Sequence, residues 1–161
     1  MRERTILLAA LLLSRAPLSA QSYPIRPGPP DVAVPATHEQ EACLDSLLVP
    51  YIAQGQATYQ EAKARYIAGL PPHHRFLVSA MLFDSVGHRE MVFIHVLGAV
   101  SDTVYGRLDT DVLVVQGFRQ GDRMRVLDSA VLDWTIARPD GTEEGNAVGT
   151  FIDTLHGHLP C

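Results

Sequence analysis

The stretch Val131–Phe151, VLDWTIARPDGTEEGNAVGTF, gathers the carboxylates Asp133, Glu143 and Glu144 around a Pro-Asp-Gly turn. Paired carboxylates do acid–base work when both point into one cleft and their surroundings split their pKa values. Glu143 and Glu144 are adjacent, and adjacent residues of an extended strand face opposite sides. They are expected at a solvated loop tip, where Glu143, Glu144 and Asn146 form a surface for a partner. Asp133 is a candidate general base without a neighbouring partner. Its expected role is a hydrogen bond to a turn or to the next strand.

His95 lies in MVFIHVLG, on the strand face shared by Met91, Phe93 and Leu97. A histidine there is read as a packing residue, with a buried base of shifted pKa as the catalytic alternative. His73, His74 and His88 fall in loops and are expected to be exposed. The tail DTLHGHLPC brings Asp153, His156, His158 and Cys161 close in sequence. Zinc accepts all of these ligand types, and water activated on such a metal hydrolyses esters and amides. The spacing matches no standard closed zinc pattern, so the tail is read as polar chain, with metal-assisted hydrolysis as the alternative. No Gly-x-Ser-x-Gly elbow surrounds any serine, and neither a phosphate-loop nor a dinucleotide glycine motif is present. No cofactor is implied. Trp134, the only tryptophan, is expected as a core anchor, with ligand stacking as its alternative role.

The elements that would position these groups change character along the chain. Residues 1–20 read as a secretory signal peptide: Arg2 and Arg4, an apolar run Ile6–Leu13 too short to span a bilayer, then Ser19-Ala20. Cleavage is expected near Ala20, giving a periplasmic or secreted chain without stable membrane insertion. Residues 21–36, QSYPIRPGPPDVAVPA, form a Pro-rich arm or linker. Residues 37–161 form a single domain. Thr37 and Gln40 make a capping box for a helix that Pro50 limits or kinks. Thr58 and Glu61 make another, with Glu61 and Arg65 spaced for an ion pair and Gly69 as the stop.

The period then shifts to two. Strands are expected at Arg75–Phe83, Glu90–Val100, TVYGRL, DVLVVQGF, RMRVLD, AVLDWTIA and NAVGTFID. Helices followed by short antiparallel strands indicate an α+β fold, with one or two N-terminal helices and a curved antiparallel sheet or small, partly closed barrel.

Two cysteines in an exported chain predict one disulfide, Cys43–Cys161. A bridge closing so long a loop is worth about 4–5 kcal/mol in the chain-entropy model. The formal charge is −5, and the leader carries away Arg2, Arg4 and Arg15 against Glu3 alone. The exported chain is therefore still more acidic, which argues against nucleic acid as a partner.

TYQEAKARYIAGL, then YGRL, GDRMRVLDSAVLDW and DGTEEGNAVG, resemble in order and spacing the YegJ-like domain of unknown function found in bacteria. The resemblance runs over roughly residues 58–153 and centres on Asp133-Trp134, the Asp140-Gly141 turn and Gly145. It implies an α+β fold and a bacterial origin, and brings no catalytic residues with it. The expected function is a non-enzymatic domain that binds a protein or an envelope component.

Overall fold

The computed structural model describes residues 37–155, His158 and Pro160. The leader, the Pro-rich arm, His156 and Cys161 lie outside the described residues. Two α-helices and a six-stranded antiparallel sheet make an α+β fold.

Helix α1 spans His38–Ala68. Thr37 accepts from the Gln40 amide at 3.2 Å while the Gln40 side chain accepts from the Thr37 amide at 2.9 Å, a complete capping box. The helix runs through Pro50 rather than ending there. Pro50 and Ser46 both face solvent, so the carbonyl that loses its donor is left to water instead of to the core. Thr58 is therefore an interior helical residue and not a second start.

The strands are β1 (Arg75–Phe83), β2 (Arg89–Val100), β3 (Thr103–Leu108), β4 (Arg123–Leu127), β5 (Asp133–Ala137) and β6 (Glu143–Gly145). Their order in the sheet is β4-β3-β2-β1-β5-β6, with a bulge in β2 between Val96 and Gly98. The sheet is open, with β4 and β6 as its edges, which corrects the partly closed barrel. The inner face presents Phe76, Val78 and Ala80 of β1, Val92, Ile94 and Val96 of β2, and Trp134 and Ile136 of β5. Tyr59 and Ala62 of α1 belong to the same core, and Tyr66 stacks on Phe76 at 5.2 Å. At Gly55 the α1 backbone comes so close to Asp133 that any Cβ would collide with it.

Two expected strands are absent. Residues 111–118 form a loop, because side-chain carboxylates take the donors that a ladder would use. Glu90 accepts the amides of Leu113, Val114 and Val115 at 2.8–3.2 Å, and Asp84 accepts that of Gln116 at 3.2 Å. The segment 146–153 is helical: Asn146 turns the chain at φ 54° into α2, Ala147–Thr154. Val148 is buried and Phe151 stacks on Tyr51 of α1 at 4.2 Å. Val148, Phe151 and Ile152 also fit helical spacing, which so short a segment cannot distinguish from alternation.

Candidate functional site

Asp133 opens β5 and is 2% exposed. Its Oδ1 accepts the Trp134 amide at 2.8 Å and its Oδ2 accepts the Val148 amide at 2.8 Å. Burial pushes its pKa up, against the pull of the amides of Val148, Trp134 and Ala147. The carboxylate thus reaches from the strand to cap the N-terminus of α2, sealed by Gly55. Trp134 is buried beside it, and its Nε1 donates to the Thr58 hydroxyl at 2.8 Å. Its indole sits in the core with its polar edge satisfied.

Glu144 is gripped by two arginines. Arg65 meets it with both guanidinium nitrogens, and Arg138 adds a bond at 3.1 Å. Arg65 chiefly holds this carboxyl below its ordinary range. Arg65 bonds Glu144, and Glu61 four residues before it adds the favourable charge interaction that its spacing predicts. Glu143 is exposed, and its Oε2 accepts from the Asn146 amide side chain at 2.6 Å. The three residues stand close together, and their bonds rivet the β5–β6 hairpin to α1 and α2.

His95 is half-buried in β2, in register with Leu77 on one side and Arg107 on the other. Burial lowers its pKa, and Arg75 adds to this against Asp109, so the ring is neutral near neutral pH. Arg75 is itself paired with Asp109 at 2.6 Å. Asp133, Glu144 and His95 stand on separate elements, and Asp133 and Glu144 are each committed to bonds of their own. Asp153 lies exposed in the last turn of α2 and His158 is exposed; His156 and Cys161 lie outside the described residues. Among the described residues no group of three potential metal ligands comes together. Cys43 lies half-buried on α1, and no described cysteine is a free thiol.

Two arrangements escaped sequence reasoning. Lys63, 2% exposed, donates to the Ser101 carbonyl at 2.7 Å and to both oxygens of Asp128 at 2.8 and 2.7 Å. Tyr59 donates to the same carboxylate at 2.8 Å. The available signal was a lysine four residues after Tyr59, interrupting the apolar stripe of Tyr59, Ala62 and Tyr66.

The second lies on the outer face of β2–β3–β4. Arg65, Arg75, Arg89, Arg119 and Arg138 each pair with a carboxylate. Arg107, Arg123 and Arg125 pair with none among the described residues, and these three stand together. Arg107 is directly opposite Arg123, and Tyr105 directly opposite Arg125. Arg107 gives one bond to the Gly121 carbonyl at 2.7 Å. A shallow depression beside Arg107 and Arg123 is lined also by Leu97, Gly98, Tyr105, Gly106 and Met124, with Arg125 next to it on β4. Leu97 and Val100 stand 58% and 63% exposed beside it. Strand alternation was legible in sequence, but the register that aligns these residues was not.

No helix among the described residues is long and apolar enough to cross a membrane. No family model, curated protein or solved structure matches the chain.

Proposed function

We propose that this chain is an exported bacterial domain, akin to the YegJ-like domains, that binds another protein or an envelope component without catalysing a reaction. The outer face of β2–β3–β4 is the binding surface. One observation carries this: the arginines left without carboxylates lie together on that face, beside exposed Leu97, Val100 and Leu127. The other described arginines each pair with a carboxylate, whereas Arg107 directly opposite Arg123 is a like-charged cross-strand pair that a bound anion would relieve. The acid–base candidates Asp133 and Glu144 are already engaged in bonds that hold α2 and the β5–β6 hairpin. Export follows the leader at residues 1–20, with cleavage near Ala20, and a Cys43–Cys161 bridge suits an oxidising compartment.

The test is photo-crosslinking in cells from a probe at Leu97, with a control probe at exposed Glu61. Adducts with an envelope component or protein are expected from Leu97, and they should vanish in an Arg123→Glu/Arg125→Glu double variant. Equal adducts from both probes would refute the surface. An enzymatic turnover abolished by His95→Ala or Glu144→Gln in folded protein would refute the absence of catalysis. The mass of the exported chain checks the rest: it should begin at Gln21 and be two hydrogens lighter than the dithiol.

A further inference from the structure

The outer face is graded along its strands. In one row across the sheet stand His95, Arg107 and Arg123; in the next, Gly98, Tyr105 and Arg125. Beyond them come Val100 and Leu127, both exposed, flanking Thr103. Residues directly opposite are about 4.5–5.5 Å apart at Cα. Successive residues on one face of a strand are roughly 7 Å apart. The three guanidinium groups can therefore converge on a single group, while the apolar end begins one row away. Like charges directly across a ladder repel. Arg107 facing Arg123 is thus unfavourable in the free protein and becomes favourable once an anion sits between them. Planar guanidinium forks suit an anion with several oxygens on one centre, which is phosphate rather than a lone carboxylate.

We propose that this face binds one molecule of a phosphate-headed amphiphile. The headgroup lies among Arg107, Arg123 and Arg125, and the apolar body runs along Tyr105 and Leu97 towards Val100 and Leu127. This rests on the reading of the face as a binding surface and names its ligand. An acidic peptide fits less well, because its carboxylates are spaced along a chain while the arginines share one point. A whole anionic bilayer also fits less well, because Asp102 and Asp128 adjoin the apolar end and the chain carries net negative charge. Bulged β2 contributes by placing Gly98 opposite Tyr105, which leaves that ring uncovered.

The experiment is titration of the full exported chain with dodecyl phosphate below its micelle concentration. Dodecyl maltoside, inorganic phosphate, an oligoglutamate and phosphatidylglycerol vesicles serve as comparison probes. One-to-one, salt-sensitive binding of dodecyl phosphate is expected, tighter than inorganic phosphate and absent with the maltoside. Arg123→Gln or Arg107→Gln should weaken it by about tenfold or more, and Arg123→Gln should leave the melting temperature unchanged or higher because a repulsion is removed and no bond is lost. Arg119→Gln, at a paired and exposed arginine, should bind as the wild type does. No binding of dodecyl phosphate, equal binding by the arginine variants, tighter binding of oligoglutamate, or binding to vesicles alone would each overturn the proposal. If it falls while the Leu97 crosslinks persist, the binding surface stands and only its ligand is wrong.

Discussion

Lys63 carries a charge into the contact between α1 and the turns of the sheet, and is tolerated because all of its donors are used. Its three bonds go to the Ser101 carbonyl and the two oxygens of Asp128. Breaking one side of a buried pair leaves an uncompensated charge, so Lys63→Ala should cost about 3–5 kcal/mol in urea unfolding. A Lys63→Met/Asp128→Leu double variant should recover much of that loss. Burial would raise the Asp128 pKa, but bonds from Lys63, Tyr59 and Gln60 outweigh it and hold the carboxyl below its ordinary range. The sign follows: this contribution is complete above the unfolded carboxylate value and fades as pH falls through the lower native value. Asp133 has the opposite sign. Burial raises its pKa in the native state, so its share of stability is complete at low pH and is lost as pH rises through the native value. Asp133→Ala should cost about 2–4 kcal/mol by stranding buried amides. The wild-type advantage over Asp133→Asn should grow as the solution is acidified, which urea midpoints measured across pH would register.

At the scale of elements, carboxylates fasten backbone that has no ladder. The loop 109–122 is attached to the β1–β2 hairpin through Glu90 and Asp84. Burial opposes the ionisation of Asp84. The amides of Gln116, His88 and Val86 and the His88 ring prevail and lower its pKa to about 2. Hydrogen exchange at Leu113–Val115 should therefore accelerate in Glu90→Gln, and in the wild type the protection factor of Gln116 should fall as pH drops from the ordinary carboxylate value towards about 2, with the rest of the sheet still protected. Exchange unchanged in Glu90→Gln would show that the bonds from Glu90 do not hold the loop, leaving that to Asp84 and to the packing of Val112 and Val115. α1 and β5 are joined at Gly55, where Gly55→Ala forces the helix off Asp133 and should cost about 1–3 kcal/mol by thermal or urea unfolding.

At the scale of the molecule, an open sheet depends on α1 for its cover, with α2 packed on α1, and on the proposed bridge for restraint. Reduction of a Cys43–Cys161 disulfide should lower stability by up to about 4–5 kcal/mol, read by denaturation with and without reductant. Much of the fold was legible locally. The Thr37/Gln40 cap, the stop at Gly69, the apolar run of β1 and the alternation of β3 depend on nearest neighbours and short-range spacing, which one chain segment carries by itself. What failed was non-local. DVLVVQGF has strand composition, yet it is a loop because Glu90 and Asp84 reach its amides from another hairpin. NAVGTFID was read as a strand, yet its apolar pairs Ala147-Val148 and Phe151-Ile152 stand four apart, and it is a helix that Asp133 caps from β5 and Tyr51 receives through Phe151. The candidate site divided in the same way. Strand alternation already separated Glu143 from Glu144, but only the folded chain delivers Arg65 and Arg138 to Glu144, or Val148 to Asp133. By itself the sequence determined the α+β class, the alternation of the strands and the surplus of acidic residues, because these are properties of composition and short-range spacing. Only the tertiary structure decided which arginines meet carboxylates and which stand bare together, because pairing across a sheet is set by register between strands distant in the chain.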